Sequence, residues 1–357
     1  MCKTILYITN GICGSGGLER VVSIKASYFA DHYNYNVHII TLNESQKKLF
    51  YPLSDKITIH NIHTQDGTYG FYKEYYRGVK NVICKINPNT IFVADDGLKG
   101  VLFPLIFKPK CKVIYERHTT KAIHGQSLKS KIIRKLMDFG SLKFDSFVVL
   151  TKSNKKDWTK ARNIKVIPNP IPFKCDTIPN ILSRNKIISV GSISKVKGHD
   201  TLIKAWGLIA DKFPHVSIHI YGTKKDNFEL LVKLISYLKL DNCVYIHEPI
   251  NNIKDKYCES AICVLPSRVE GFGMVLIEAM ECGTPCIATK CEGPLDIITN
   301  SVDGYLFNID NYPELAKILS KMLTNTEQLN NMSKACKQSA NKYNLDLIMA
   351  QWKKLIS

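Results

Sequence analysis

Short apolar runs alternate with segments of helical length along the whole chain, and this alternation limits the possible folds more than any other feature. Such a pattern is typical of parallel sheets covered by helices. In the first half the predicted strands are TILYIT, NVHIITL, ITIHNI, TIFVAD, KVIYER, DSFVVL and IKVIPN, and the predicted helices cover 18–34, 69–86, 126–141 and 152–160. In the second half the predicted strands are KIISVGS, VSIHIYG, CVYIHE, ICVLPS, PCIAT and GYLF.

A proline-rich stretch divides this pattern in two. VIPNPIPFKCDTIPN (166–180) contains four prolines in fifteen residues and interrupts any regular element. With 357 residues the chain is long enough for two domains. We expect an α/β domain over 1–170, a second one over 171–340, and a C-terminal helix over 341–357 that returns to the first domain. Two such sheets imply a cleft, with ligands outside the carboxyl ends of the strands.

The positive charge is concentrated in the first half of the chain. Of the net charge of +18, residues 1–175 carry 28 Lys and Arg against 12 Asp and Glu, and residues 176–357 carry 21 against 19. A field of this kind attracts polyanions: nucleic acid, anionic lipid headgroups or diphosphates. Its densest part, 119–144, combines Lys129, Lys131, Arg134, Lys135 and Lys143 with Leu128, Ile132, Ile133, Leu136, Met137 and Phe139. Two interpretations stay open: a helix lying in a membrane interface, or a surface helix with its apolar side in the core.

The composition, 45% hydrophobic and 22% charged, is that of a soluble globular protein. The longest apolar stretches, such as 101–107, are far shorter than the roughly 20 residues that span a bilayer. The start, MCKTILYITNGICGSGG, ends in a glycine loop rather than a cleavage site, so we interpret it as a buried strand and expect a cytoplasmic protein.

Twelve cysteines raise the question of disulfides or zinc. The sequence has no C-x2-C pair, and Cys282, Cys286 and Cys291 are spaced by four and five residues with no paired histidine nearby. We therefore expect reduced, mostly buried thiols and no metal site.

The stretch SRVEGFGMVLIEAMECGTPCIA (267–288) carries two carboxylates beside a glycine turn. A strand precedes it and a helix begins just after residues 271–273, where free N–H groups and the helix dipole favour a phosphate. Glu270 and Glu278 can each accept hydrogen bonds from two vicinal hydroxyls of a sugar or ribose. Taken singly, Glu278 could be a solvated helix residue and Glu270 a partner of the helix dipole; the joint pattern favours ligand binding.

This stretch, read as P-S-x-x-E-G-F-G-M-V-L-I-E-A-M-E-C-G-T-P, resembles the signature of family 4 glycosyltransferases. Those are retaining enzymes of the GT-B fold, with two Rossmann-like domains, and include enzymes that assemble lipopolysaccharide, O-antigen and capsule. The resemblance covers essentially the full chain. It implies that Glu270 contacts the donor hexose, that Gly271, Phe272 and Gly273 line the sugar and diphosphate, and that Glu278 holds the ribose hydroxyls.

Two glycine-containing loops add to the resemblance. SGGLERVV (15–22) is similar to the family's first loop, where Gly16 and Gly17 let the backbone approach the donor phosphate and the acceptor. A dinucleotide fingerprint would need a third glycine where Glu19 stands, which disfavours an NAD site. VGSISKVKGHDTLIKAW (190–206) resembles the family's G-R-L-x-x-x-K-G, in which Lys197 neutralises the departing diphosphate.

The second of these loops departs from the family pattern at one position. Ser192 stands where the family has an arginine, so a cation is missing although Ser192 still counts among the donor-binding residues. Lys195 or Arg268 are the candidate substitutes. The turn 291–307 resembles a family segment whose backbone approaches the nucleotide.

The remaining candidates follow strands of the first half. In VIYERHTT (113–120), the resemblance implies that His118 reaches the donor sugar or its phosphate, whereas Glu116 and Arg117 receive no firm role. In TIFVADDG (90–97), Asp95 and Asp96 are adjacent rather than arranged as the D-x-D that holds a metal in GT-A enzymes. They either bind acceptor hydroxyls or shape the loop, and we expect catalysis without a metal.

Together, the residues and the resemblance predict a retaining glycosyltransferase with Glu270, His118 and Lys197 as catalytic residues and no cofactor. It would move a hexose or N-acetylhexosamine from a UDP sugar to a lipid-linked saccharide, in the cytoplasm at the anionic surface of the cytoplasmic membrane. One alternative is a nucleotide-sugar epimerase of the same fold. The other, a non-enzymatic polyanion binder, lacks a nucleic-acid module and the exposed aromatics that stack bases, so no nucleic-acid partner is expected.

Overall fold

The structure, a computed structural model, describes residues 3–45, 47–65, 68–121, 127–176 and 180–357. The chain forms two compact units, one of Met1–Pro170 with Asp346–Ser357 and one of Ile171–Leu345. Among the described residues, no helix combines the length and the apolar character needed to cross a bilayer.

A seven-stranded parallel sheet forms the centre of the first unit. Its strands are β1 (Thr4–Thr9), β2 (Asn36–Leu42), β3 (Thr58–Ile62), β4 (Thr90–Ala94), β5 (Lys112–Arg117), β6 (Ser146–Val149) and β7 (Ile164–Val166). They lie in the order β3-β2-β1-β4-β5-β6-β7. All five residues of β4 are buried, as are five of the six in β1, because helices cover both faces of the sheet. Burial on both faces of the sheet therefore explains why these strands are continuous apolar runs in the sequence.

The helices of the first unit match the predicted segments to within a few residues. They are α1 (Gly17–Asp31), α2 (Thr68–Ile86), α3 (Leu98–Val101), α4 (Phe103–Phe107), α5 (Leu128–Ser141) and α6 (Lys152–Asp157). The sequence did not predict α3 and α4, which are only about one turn long. Residues 122–126, within the predicted basic segment, lie outside the described residues.

The second unit contains a six-stranded parallel sheet. Its strands are β8 (Lys186–Val190), β9 (Ser217–Tyr221), β10 (Val244–His247), β11 (Ser260–Leu265), β12 (Cys286–Thr289) and β13 (Gly304–Phe307), in the order β10-β9-β8-β11-β12-β13. Its helices are α7 (His199–Gly207), α8 (Phe228–Tyr237), α9 (Ile253–Cys258), α10 (Met274–Glu281), α11 (Glu292–Ile297), α12 (Tyr312–Thr324) and α13 (Thr326–Ala340). Short 3-10 turns include Ile181–Ser183, Lys195–Lys197, Ala210–Lys212 and Asn341–Tyr343.

The last helix, α14 (Leu345–Ile356), packs on the first unit through its side chains. The hydroxyl of Tyr28 donates a hydrogen bond of 2.7 Å to Asp346 Oδ1, and Lys112 Nζ donates one of 2.6 Å to the carbonyl of Leu355. The ring of Trp352 lies edge-on to Phe92, with 5.6 Å between centroids. The chain thus returns to its first unit at its end, as predicted.

Strand order decides where ligands can bind in each unit. In both sheets the order reverses beside the first strand, between β1 and β4 and between β8 and β11. The loops that leave the carboxyl ends of these strands diverge to opposite faces and leave a crevice. Every site residue predicted from the sequence, except Glu278 and His118, lies in one of these four loops or at its junction with the next helix. The prediction of two parallel α/β sheets is confirmed.

Candidate functional site

Lys197 and Glu270, 73 residues apart, meet at the crevice of the second sheet. The ammonium of Lys197 donates a hydrogen bond of 2.7 Å to Glu270 Oε2, and the Ser267 hydroxyl lies 3.3 Å from the same oxygen. The side chains are 27% and 13% exposed, so the ion pair is accessible from solvent. A cation and a carboxylate at a parallel-sheet switch point can bind the phosphate and the hydroxyls of one ligand.

Backbone contacts hold the two loops of this pair at a fixed distance. Gly198 has φ of 65°, and a Cβ there would lie 2.1 Å from the carbonyl oxygen of Pro266, so only glycine fits. The N–H of Arg268 donates a hydrogen bond of 2.8 Å to the carbonyl of Val196. The positions of Lys197 and Glu270 are therefore set by main chain rather than by their own side chains.

The glycine turn after β11 leads directly into α10, as its sequence indicated. Gly273 precedes the first residue of α10 and offers no side chain to cap the N–H groups of the first turn, which are donors for an anion. Gly271 and Phe272 are buried, and the ring of Phe272 lies edge-on to Tyr343 at 5.8 Å. A further backbone contact joins Gly293 N to the carbonyl of Glu270, at 3.2 Å.

Glu278 lies on the buried side of α10. It is 1% exposed, and one carboxylate oxygen accepts a hydrogen bond of 3.1 Å from the hydroxyl of Tyr257. The bond fixes the orientation of the carboxylate. Tyr257 could not be predicted from the sequence, because it lies on another helix 21 residues earlier.

The two candidate substitutes for the missing arginine differ in their surroundings. Arg268 pairs with Asp200 through two hydrogen bonds of 3.0 and 2.8 Å and with Asp310 at 2.8 Å. These carboxylates raise the pKa of Arg268 above its already high value and neutralise its charge. Lys195 is exposed and has no ion pair among the described residues, so no carboxylate of the described chain neutralises its charge. The Ser192 hydroxyl lies 3.2 Å from that of Ser194.

His199, next to Gly198, is a site residue that the sequence did not single out. Its ring is buried between the Ser189 hydroxyl, 3.2 Å from Nδ1, and the carbonyl of Gly191, 3.3 Å from Nε2. Burial lowers the pKa of His199 to about 4, so the ring is neutral at pH 7 and donates from Nε2 to Gly191. It anchors the loop that carries Lys197.

In the first unit, Gly16 and Gly17 lie exposed at the N-terminus of α1. A carboxylate stabilises the loop before them: Glu44 accepts hydrogen bonds from the backbone N–H groups of Ile12, at 2.8 Å, and Cys13, at 3.3 Å. Successive N–H groups of this loop therefore already bind an anionic group of the protein itself.

Asp95 and Asp96, after β4, have different environments. Asp95 is 2% exposed and accepts hydrogen bonds from Gly97 N, at 2.9 Å, and from Lys99. Asp96 is partly exposed and accepts a hydrogen bond of 3.0 Å from the backbone N–H of His118. Asp95 thus shapes its loop, and Asp96 links the ends of β4 and β5.

Family and fold comparisons agree with this geometry. Residues 177–339, nearly all of the second unit, match the family described as glycosyl transferases group 1. The match lies entirely within the second unit. The amylovoran biosynthesis glycosyltransferase AmsD of Erwinia amylovora is 27% identical, over 99% of this chain and 99% of that relative.

Solved structures with the same arrangement of strands and helices cover the whole chain. Sucrose-phosphate synthase from Thermosynechococcus elongatus has a TM-score of 0.85 at 17% identity, covering 99% of this chain and 98% of that one. Anabaena Alr3699/HepE, in complex with UDP and glucose, has a TM-score of 0.79 at 18% identity, with coverage of 99% and 98%. The fold is GT-B, and family, fold and full-length relative together support glycosyl transfer as the activity class.

In the first unit, a buried chain of ionisable groups leads to His118. Lys25 Nζ lies 2.6 Å from Glu116 Oε2, and the same oxygen lies 3.3 Å from His118 Nε2. The side chains are 1%, 2% and 7% exposed. Burial lowers the pKa of Lys25 to about 8 although Glu116 opposes the shift, and Lys25 and His118 lower the pKa of Glu116 against its own burial. Glu116 therefore orients the His118 ring.

Arg117, between these two residues, is structural. Its guanidinium donates to the carbonyls of Asp96, at 2.7 Å, Thr119, at 2.8 Å, and Thr120, at 3.2 Å. These bonds define the path of the chain directly after His118.

Helix α5 exposes an apolar stripe. Leu128, Ile132, Leu136 and Phe139, spaced at helical intervals, are 76%, 55%, 42% and 51% exposed. The opposite side packs on the first core through Met137, which is fully buried, and Ile133. The interpretation as a surface helix with an apolar side in the core therefore accounts for Met137 and Ile133, but not for the exposed stripe.

Proposed function

We propose that this protein is a retaining glycosyltransferase that moves a hexose or N-acetylhexosamine from a UDP sugar to a lipid-linked saccharide. The second unit binds the donor and the first binds the acceptor. The contact between Lys197 and Glu270 at the crevice of a group 1 unit is the observation that carries the proposal. The biosynthetic role of AmsD and the UDP and glucose bound by HepE support the choice of donor and pathway.

Each donor group has a proposed partner in the second unit. Lys197 and the N-terminus of α10 stabilise the departing diphosphate, because both place positive charge where negative charge develops. Glu270 accepts hydrogen bonds from the hexose hydroxyls, and Glu278 accepts them from the ribose. Ser192 and the turn 271–273 line the phosphates, and Gly16, Gly17 and His118 are the proposed ligand-binding residues of the first unit. None of these roles involves a metal ion.

Turnover by variants tests these assignments. Lys197→Ala and Glu270→Ala should each lower kcat by at least about 100-fold, the cost of losing one transition-state interaction. Lys212→Ala, an exposed lysine of the same unit, is the control and should leave kcat unchanged. Full activity of both variants would refute the site. Interconversion of UDP sugars without acceptor would indicate an epimerase, and inversion at the anomeric carbon of the product would refute retention.

We further propose that α5 docks on an anionic membrane. Its exposed apolar stripe is accompanied by Lys129, Lys131 and Lys135, which are also exposed. An amphipathic helix of this composition inserts its apolar side into the headgroup region while its lysines bind anionic lipid. Binding to such a surface would keep the first unit near a lipid-linked acceptor.

Vesicle co-sedimentation tests the docking surface. Binding to vesicles with anionic lipid should fall as salt rises, and Ile132→Ser with Phe139→Ser should weaken it at least about tenfold. Leu182→Ser with Leu230→Ser, two leucines of similar exposure in the second unit, is the matched control. Equal binding to neutral vesicles, or equal loss in the control, would contradict the proposal.

A further inference from the structure

Three cysteine thiols from distant parts of the sequence meet in the second unit. The sulfur atoms of Cys175, Cys258 and Cys282 all lie within 4.8 Å of one another, and those of Cys175 and Cys258 are 3.4 Å apart. Three sulfurs bound to one zinc ion at about 2.3 Å are about 3.8 to 4.0 Å apart. We propose that these three thiolates bind a zinc ion, at a site separate from the donor loops.

The positions of the cysteines in the fold favour a cation. Cys258 is the last residue of α9, and Cys282 follows the last residue of α10. The carboxyl ends of helices carry partial negative charge from their unpaired carbonyl groups. The sulfur of Cys282 also lies 3.8 Å from the carbonyl oxygen of Lys254, the second residue of α9. A zinc ion here has three thiolates and a carbonyl or water for its fourth ligand.

Polar groups around the cluster hold its backbone in place. The N–H of Cys175 donates a hydrogen bond of 2.9 Å to Glu281, and its carbonyl accepts one of 2.8 Å from Lys337. Arg184, which is buried, donates to the carbonyl of Cys282. Zinc with three thiolates carries a net charge of −1, and the guanidinium balances it. Partners that orient the ligands in this way are typical of metal sites.

A redox switch, in which two of the three cysteines form a reversible disulfide, explains the cluster less well than a zinc site does. A disulfide joins two sulfurs at about 2.05 Å, and it would leave the third thiol of the cluster unexplained. Zinc uses all three, and its binding releases the three thiol protons. The ion would join the segment that opens the second unit to the ends of α9 and α10, and α10 carries Glu278. Cys258, which is partly exposed, provides the route of entry.

The test is metal binding by the reduced full-length protein. Cobalt(II), used as a spectroscopic probe, should bind at one ion per chain and give a thiolate-to-metal charge-transfer band. Added zinc should displace the cobalt and abolish the band. Cys258→Ser should weaken zinc binding, measured by competition with a chromophoric chelator, by more than about 100-fold. A loss of this size exceeds that expected for a residue that only hydrogen-bonds to a metal ligand. Cys336→Ser, at a fully buried thiol of the same unit outside the cluster, should leave it unchanged.

A second measurement needs no variant. Zinc should protect three thiols of the wild-type chain from alkylation, and peptide mapping should identify them as Cys175, Cys258 and Cys282. Absence of the cobalt band, protection of other cysteines, or a Cys175–Cys258 disulfide in place of bound metal would overturn the proposal. Transfer activity is not used as a readout, so failure here leaves the proposed function untouched.

Discussion

Replacing Lys25 by methionine should destabilise the first unit severely. Lys25 and Glu116 form a contact of 2.6 Å with both side chains at most 2% exposed, and the ammonium lies 3.3 Å from the centre of the Trp352 ring. Methionine retains most of the packing volume but leaves the Glu116 carboxylate buried without its main partner. Removal of one member of a buried ion pair costs about 3–5 kcal/mol. A loss of this size is a large fraction of the stability of one unit.

The double variant Lys25→Met with Glu116→Met separates the charge effect from the packing effect. Replacement of both charges by apolar groups removes the desolvation cost, so we expect stability within about 1 kcal/mol of the wild type. The control Lys73→Met changes an exposed lysine of the same unit and should shift stability by less than about 0.5 kcal/mol.

Urea unfolding followed by tryptophan fluorescence measures these differences. Two of the three tryptophans, Trp158 and Trp352, lie in the first unit, so a Trp206→Phe background makes the signal report on that unit alone. A loss below about 1 kcal/mol in Lys25→Met, or no recovery in the double variant, would show that burial of the pair does not control stability.

Three further predictions concern the second unit. The folded pKa of His199 is about 4, against an ordinary value of 6.5, so the unfolded chain takes up a proton first as the pH falls. The free energy of unfolding of the wild type should therefore drop between pH 6.5 and 4 by on the order of 3 kcal/mol. The difference in this free energy between the wild type and His199→Gln, measured by urea unfolding, should narrow over that range, and a constant difference would contradict the prediction. Gly198→Ala should separate the loops that carry Lys197 and Glu270 and so lower kcat at least about tenfold. The control Gly207→Ala, whose added Cβ would meet only a leucine side chain, should leave kcat unchanged. Equal kcat values for the two variants would show that the loops tolerate the added methyl group. Lys195→Ala should weaken UDP binding, measured by calorimetry, about tenfold, which is the value of one charged hydrogen bond. Arg268→Gln should lower the melting temperature but change the affinity for UDP less than about threefold. A larger loss of UDP affinity in Arg268→Gln than in Lys195→Ala would identify Arg268 as the substitute cation.

Much of the fold could be predicted because buried parallel strands are easily recognised in the sequence as continuous apolar runs. Thirteen apolar runs correspond to the thirteen strands of the described chain. Central strands such as β1 and β4 are covered on both faces, so their side chains of either orientation are apolar. The order of strands could not be read from the runs, because it depends on how each connecting helix crosses the sheet. Helices α3 and α4 were missed because four or five residues show no periodicity.

The site was predicted as separate motifs, and the contacts between them were not. Lys197 and Glu270 each fitted a family motif, but sequence spacing does not show that a backbone approach at Gly198 brings them within 2.7 Å. Lys25 did leave a signal: it occupies the apolar stripe of α1 with Val22 and Phe29 at helical spacing, and a lysine there requires a buried partner. The three clustered cysteines left none, because their ligand spacing follows no local rule.

If Lys197 and Glu270 bind the donor as proposed, their ion pair would couple recognition of the diphosphate to recognition of the hexose. One ammonium cannot remain fully paired with Glu270 at 2.7 Å and also bind a phosphate oxygen closely, so a diphosphate must draw Lys197 away from the carboxylate. The same movement makes Glu270 Oε2 available to sugar hydroxyls. Glu270→Gln removes the competing charge at almost equal size. We therefore predict that it binds UDP severalfold more tightly than the wild type in calorimetry while its transfer rate falls at least about 100-fold. Weaker UDP binding by Glu270→Gln would show instead that the pair organises the phosphate site and does not compete with it.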